Sequence, residues 1–433
     1  MHAQLIESVP HLTTALRGPL QRLESHLLAQ QAEIEWWFRQ HWHTTPAPFY
    51  ASVDLRNAGF KLAPVDTNLF PAGFNNLNPA FLPLCVQAAQ SAFERLDMST
   101  SRVVLIPENH TRNLYYLESV ATLQDILCQA GYEIRLGSLL PDLHSPQLFS
   151  LPSGRSLLLE PLTLENNLVR IADFVPSLVL LNNDLSAGYP PILRNIEQPI
   201  IPPLQLGWYT RLKSEHFTHY HQIAQAFSQQ IDIDPWFIEP LFKNCGEINF
   251  MKKAGETCLA ENVAGLLNAI QAKYDEYGVP HKPFVIIKAD AGTYGMGVMT
   301  VHNVEELYTL NRKQRSRMMA TKEGQQISKV ILQEGVYTFE TWAGAVAEPV
   351  VYMIDHSVVG GFYRVHKSRS INQNLNAPGM YFEPLAFVDS CITPNQQMSP
   401  DACPNRFYAY GVIARLALLA AARELAKQQH SSV

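Results

Sequence analysis

KADAGTYGMGVMT, Lys288 to Thr300, is the stretch on which the reading of this chain turns. A lysine closes the apolar run FVIIK, and glycines follow at 292, 295 and 297. Glycines let a loop bend over a ligand and turn backbone N–H groups towards it. A lysine at the end of the preceding strand adds positive charge beside that loop. The pattern suits a flap over a polyphosphate; a glycine-rich hairpin without a ligand is the alternative. The lysine precedes the glycines and no GK[ST] closes the run, so this is not a Walker loop. The GxxGxG spacing also differs from the dinucleotide fingerprint.

Working outward, VILQEGV (Val330 to Val336) reads as a strand leading into Gln333, Glu334 and Gly335. Such a segment can pair its backbone with an adenine edge while Glu334 accepts from ribose hydroxyls. A solvated strand-end carboxylate is the plainer reading. Further on, SVVGGFYRVHKSRSINQNLNAPG carries Arg364 on a strand and Asn372, Asn374 and Asn376 in a loop. Arginine is always charged and suits phosphate or carboxylate. Asparagine offers both donors and acceptors, although it also forms turns. Upstream lie three polar clusters: ENHTRN (Glu108 to Asn113), NND (Asn182 to Asp184) and TRLK (Thr210 to Lys213). Asn183 follows a buried strand, where α/β folds carry binding groups. Arg112 can clamp a substrate carboxylate with two parallel hydrogen bonds; Asn109 or Thr111 can instead cap the helix that follows.

The 433 residues are 47% hydrophobic, enough for two or three packed domains. A formal charge of −6 argues against non-specific binding to nucleic acid or to an anionic membrane. No HExxH or CxxC spacing marks a transition-metal site. The six cysteines, at 85, 128, 245, 258, 391 and 403, form no compact framework, which suits reduced thiols in the cytosol. The N-terminus lacks a signal-peptide core, and no apolar run approaches the ~18–20 residues of a membrane span. Periodicity divides the chain into a helical segment at 1–45, strands and a loop at 46–79, an α/β part at 80–245 and a mixed part at 246–433. SVDLRNAGFKLAPVDTN reads as a hairpin. Trp36 and Trp37 read as helix-packing aromatics.

Strand-end lysine, glycine loop, QEG strand, arginine and asparagine loop, in that order, resemble the ATP-grasp superfamily, whose members join a carboxylate to an amine through an acyl phosphate. KADAGTYGMG, QEGVYTFE, EPVVYMIDHSVVGGFYRVH, NLNAPGM and PVDTNLFPAGFNNL are similar to segments of the ATP-grasp type of bacterial glutamate–cysteine ligase, or gamma-glutamylcysteine synthetase. The resemblance spans most of the chain. It implies a cytoplasmic, ATP- and Mg²⁺-dependent ligase that joins the γ-carboxylate of glutamate to the amine of cysteine, the first step of glutathione biosynthesis. Its small-molecule substrates are then glutamate, cysteine and ATP. Lys288, Gly292, Gly295, Gly297, Gln333 and Glu334 are expected at the nucleotide. Lys288, Arg364 and Asn374 are expected at the chemistry, and Arg112, Asn183 and Asn376 at the amino acids. Two alternatives stay open: another ATP-grasp carboxylate–amine ligase, or a non-catalytic nucleotide-binding regulatory protein.

One departure from the family pattern shapes the expected fold. ATP-grasp enzymes usually end with a helix and then a hairpin that holds magnesium through an Asp and a Glu-x-Asn. Here the sequence stops after the helix, while SVDLRNAGFKLAPVDTN supplies Asp54, Asp66 and Asn68 near the N-terminus. The expected fold is α/β, α+β in its catalytic part: a circularly permuted ATP-grasp fold with an N-terminal helical segment and a Rossmann-like domain before it. Asp54, Asp66 and Asn68 then become the metal ligands; ordinary strand-end carboxylates are the alternative. Failing them, Glu340, Glu348 and Glu383 are the fallback ligands.

Overall fold

Residues 50–57 alternate. Ala51, Val53 and Leu55 are buried in a hydrophobic core, and Ser52, Asp54 and Arg56 point to the opposite face. Side chains on a strand alternate between faces with period two. A sheet built from such strands has one apolar and one polar side. The structure, a computed structural model, describes residues 19–431 apart from 97, 99, 293–296, 320–328 and 386–406.

After two helices, Pro19–Ala29 and Gln31–Thr44, come β1 (Tyr50–Asn57) and β2 (Leu62–Asn68). The next part holds β3 (Arg102–Pro107), β4 (Glu133–Ser138), β5 (Gln147–Ser150), β6 (Ser156–Pro161), β7 (Thr163–Glu165), β8 (Leu168–Arg170), β9 (Leu178–Asn182) and β10 (Ile200–Ile201). Then come β11 (Phe242–Glu247), β12 (Val285–Ala289), β13 (Val298–Val301) and β14 (Lys329–Glu334). The last strands are β15 (Thr341–Trp342), β16 (Ala345–Ile354), β17 (Ser357–His366) and β18 (Met380–Pro384), followed by the helix Phe407–Ser431.

Among the described residues these strands make four sheets. The central one runs β18-β17-β16-β1-β2, with β15 beside β16, and its pairs are antiparallel. The N-terminal hairpin therefore sits in one sheet with strands almost three hundred residues away: Tyr50 pairs with Ile354, and Asp54 with Val350. The core face of this sheet packs on the C-terminal helix, which is buried along residues 407–422. A second sheet, β10-β9-β3-β4-β6-β5, is parallel from β10 to β6. The third is antiparallel, β11-β14-β12-β13, and β7 and β8 form a hairpin.

The mixed α/β architecture and the β1–β2 hairpin follow the sequence reading. β11 starts at Phe242, so the expected boundary between 245 and 246 falls inside a strand of the third sheet. The tryptophan pair divides: Trp37 is buried against Phe38 and Phe227, but Trp36 is 55% exposed. Ile34, Trp37 and Phe38 form the buried stripe of this helix, and Trp36, about 100° round from Trp37, falls outside it.

Candidate active site

A cavity of about 940 Å³ opens where the three larger sheets meet. The polar face of the central sheet supplies Ser52, Asp54 and Arg56 from β1, Asp66 and Asn68 from β2, Glu348 from β16 and Arg364 from β17. The third sheet supplies Lys288 from β12 and Gln333 from β14. From the parallel sheet, Glu108 follows the carboxyl end of β3, and Asn182 and Asp184 lie at the carboxyl end of β9. The loop after β2 closes one side with Phe70, Gly73 and Asn76. Gly73 has φ of +101°, and a Cβ there would stand 3.1 Å from Tyr352 Oη and 3.2 Å from Asn76 Nδ2. That turn needs glycine for both reasons.

Charge is concentrated on this face. Arg364 Nη1 donates to Asp54 at 2.7 Å and to Glu348 at 2.7 Å. Arg56 Nε donates to the other Glu348 oxygen at 2.9 Å. Burial alone would raise the Glu348 pKa, but the two guanidiniums outweigh it and hold the group below the usual carboxylate range. Asp66 stands directly across from Asp54 on the paired strands. Burial opposes its ionisation too, yet Lys213, Lys288 and Arg211 keep it low. Asp54 goes the other way: burial, then Glu348 and Asp66, raise it against the pull of Arg364. Lys288 Nζ donates to Val65 O at 2.7 Å and to Gln333 Oε1 at 2.6 Å, which ties the third sheet to β2. Burial, with Lys213 and Arg56 nearby, pushes the Lys288 pKa down to about 8 against the attraction of Asp66.

The sequence reading named the TRLK cluster but did not assign its lysine. Lys213 lines the cavity, lies 3.9 Å from the Trp208 ring centroid, and donates to Gly292 O at 2.6 Å. It begins the helix Lys213–Ile231, whose Ser214 N–H and Oγ bond to the Asp290 carboxylate at 2.8 and 2.7 Å. Asp290 of KADAG thus satisfies a helix terminus from a distant part of the chain. Gly292 N–H also donates to Trp208 O at 3.0 Å. No local pattern in the sequence indicates that this loop docks on residues 208–214. Arg211, beside it, donates to Thr67 O at 2.6 Å and pairs with Glu424 at 2.8 Å, bracing β2 from the C-terminal helix.

The other expected residues divide. Asp54, Asp66, Asn68, Lys288, Gly292, Gln333, Arg364, Asn374 and Asn376 all line the cavity. Gly297 is described but does not line it, and Gly295 lies outside the described residues. Glu334 is 1% exposed, and its carboxylate is committed to Lys61 at 2.6 Å, Trp236 Nε1 at 3.2 Å and Leu241 N at 2.9 Å. Its N–H is taken by Leu241 O. Glu334 also lines the cavity, and it is the partner the buried Lys61 charge requires. Arg112 is exposed and off the cavity; the loop presents Glu108, His110 and Asn113 instead. Asn113 also caps the helix Leu114–Gln129. Asn183 turns inward, bonding Pro107 O at 3.2 Å and Leu185 N at 3.0 Å, while its neighbours Asn182 and Asp184 face the cavity. Asn68 spends its amide on Phe70, accepting from its N–H at 2.9 Å. Of the fallback ligands, Glu340 and Glu383 are off the cavity, and Glu348 is held by two arginines.

Two buried donors at the site, Gln333 Nε2 and Arg364 Nε, have no partner among the described residues. Unpaired buried donors beside an open cavity suit a ligand with acceptor oxygens or nitrogens. Among the described residues no group of three or more His, Cys, Asp or Glu is assembled for a metal.

Arg56, Lys213, Lys288 and Arg364 line the cavity together with Asp54, Asp66, Glu108, Asp184, Glu334 and Glu348, a mixture of charges that suits charged ligands. The comparisons with known proteins make it specific. The family model GshA, glutamate–cysteine ligase, matches residues 24–425, and the chain belongs to that family. A crystal structure from Methylobacillus flagellatus KT, provisionally described as a gamma-glutamylcysteine synthetase, superimposes with a TM-score of 0.90 at 59% identity. That match covers 97% of this chain and 99% of that one. A D-alanyl-alanine synthetase A from Vibrio cholerae O1 biovar eltor gives a TM-score of 0.28 at 8% identity, over 59% of this chain and 69% of that one. No curated protein matches the chain. The protein is an ATP-dependent ligase that makes gamma-glutamylcysteine from glutamate and cysteine, the first step of glutathione biosynthesis.

Proposed function

We propose that the 940 Å³ cavity holds ATP and both amino acids, within a circularly permuted ATP-grasp fold. The observation that carries this is β1–β2 completing the sheet of Arg364 while Lys288 from the third sheet reaches β2. Lys288, Lys213 and Gln333 receive the phosphates. The Lys288 ammonium exchanges its bonds with Val65 O and Gln333 for phosphate oxygens. Glutamate contacts Glu108, His110, Asn182 and Asp184, and Asn374 and Asn376, which also line the cavity, take part in holding the amino acids. Enclosure between sheets keeps water from an acyl phosphate, and positioning supplies much of the rate.

Mg²⁺ fits the donors present. This ion binds one or two carboxylates and fills its remaining positions with phosphate oxygens and water. Among the described residues only Oδ1 of Asp66 accepts a hydrogen bond, from Thr67 N–H, which leaves Oδ2 for a ligand. Asp54 shares its carboxylate with Arg364. When bound, the ion neutralises phosphate charge. Arg364 holds Asp54 in place, and Arg211 holds the backbone beside Asp66. The unpaired cysteines suit a reducing, cytoplasmic setting.

The test is ADP release against a panel of amino-acid pairs, in the wild-type protein and in Lys213→Met. Glutamate with cysteine should be the best pair, and Lys213→Met should lose at least tenfold in kcat/KM for ATP. Unchanged ATP kinetics in Lys213→Met would remove the phosphate assignment.

A further inference from the structure

Outside the cavity, two thiols take no part in the ligase reaction. Cys245 lies on β11, and Cys258 lies in the first turn of the helix Glu256–Tyr277. Both are free thiols. A single amide joins them: Asn262 Nδ2 stands 3.7 Å from the Cys245 sulfur and 3.4 Å from the Cys258 sulfur. Cys245 is buried and Cys258 is exposed. One thiol is therefore open to a reagent in solution, and the other waits behind it, with residues 246–257 closing the loop between them.

We propose that Cys245 and Cys258 form a thiol–disulfide exchange site for low-molecular-weight disulfides, with cystine as the chief reagent. Cystine is the disulfide of the enzyme's own thiol substrate, so it belongs to the pool in which the enzyme works. The Cys258 sulfur, as thiolate, attacks one cystine sulfur; the S–S bond breaks, and one cysteine leaves as thiolate. Cys245 then loses its proton to water and attacks the Cys258 sulfur. The mixed disulfide breaks and releases the second cysteine. Two electrons pass from the protein thiols to cystine, which becomes two molecules of cysteine.

The cross-link joins the edge strand β11 to the helix packed on it. β11 pairs with β14, which carries Gln333, and β14 pairs with β12, which carries Lys288. The staple thus reinforces the sheet behind the proposed phosphate site. A disulfide across a short loop restricts the unfolded chain, and a rise in Tm of roughly 3–10 °C follows.

The experiment treats the full-length protein with cystine, then digests it with trypsin without reduction. Cleavage after Lys243, Lys252, Lys253 and Lys273 separates the two cysteines into peptides 244–252 and 254–273. The expected product is these peptides joined, reversed by a thiol reductant, with the higher Tm before reduction. Cys258→Ser should retain basal ligase activity and show no Tm response to cystine. A lasting cysteine adduct on peptide 254–273, or both peptides unmodified while a small-molecule thiol control reacts, would overturn the proposal.

Discussion

Glu348 and Glu340 are both buried and lie only eight positions apart, yet the central sheet treats them in opposite ways. Glu348 points into the cavity, where Arg56 and Arg364 hold it ionised. Glu340 lies among groups on the helix side, where Asn57 Nδ2 at 3.1 Å and the Tyr410 hydroxyl are its neighbours. Burial pushes its pKa up to about 7, and its second oxygen has no partner among the described residues. One face of the sheet carries cations and accepts charge. The other is sealed by the C-terminal helix, and Glu340, with no cation paired to it among the described residues, sits there near its neutral form. Desolvation acts on both residues; the partner decides the outcome.

Removing the cation from the charged face should have the largest effect. Arg364→Met leaves Asp54 unpaired and Glu348 with Arg56 alone. Breaking a buried pair costs about 3–5 kcal/mol, so urea unfolding at pH 7 should show a loss of that size together with loss of ligase activity. A stability change under ~1 kcal/mol would mean that the pairs are solvent-relaxed, closer to surface ion pairs.

Next comes Lys288→Ala, which removes a charged hydrogen bond worth about 1.5–3 kcal/mol. The expected drop in kcat/KM for ATP is roughly 10- to 150-fold, with Tm little changed. In the wild type, kcat/KM for ATP reports the free enzyme and should fall as pH rises past about 8, where Lys288 loses its proton. Lys288→Arg should move that limb to higher pH. A pH profile identical in Lys288→Arg would assign the ionisation elsewhere.

A smaller effect is expected on the helix face. Folded Glu340 keeps its proton up to about pH 7, whereas an unfolded glutamate releases it near 4.5. The folded state therefore binds more protons in that window, and stability falls as pH rises from 4.5 to about 7. Glu340→Gln should be close to neutral at pH 4.5 and stabilising by about 1–2 kcal/mol at pH 8. Destabilisation at pH 8 would show that the ionised carboxylate is tolerated there.

Much of this contrast is legible in the sequence. The alternation in SVDLRN separates Asp54 and Arg56 from Val53 and Leu55, and the same period places Arg364 between Tyr363 and Val365. FVIIK and VILQEGV put Lys288 and Gln333 at the cavity. Glu334 also reaches the cavity, but how far its carboxylate is engaged is not legible in VILQEGV. Its true partner, Lys61, is 273 positions away, and no local rule links them. Arg112 and Asn183 lie in loops that reach the cavity through their neighbours, and which side chain of a loop faces inward depends on its turn geometry. Lys213 stood in a cluster that was singled out without its role, because the docking of Asp290 onto the helix Lys213–Ile231 is a purely tertiary contact.

The central claim is that the N-terminal hairpin completes the metal and phosphate site of strands far along the chain. Mn²⁺ reports on it directly, since its paramagnetism allows binding to be titrated in the presence of ADP by electron paramagnetic resonance, without turnover. Asp66→Asn removes a charged oxygen ligand from a hard cation. The account predicts Mn²⁺ affinity at least tenfold weaker in Asp66→Asn, with ADP affinity in the absence of metal unchanged. Equal Mn²⁺ affinity in the two proteins would contradict it.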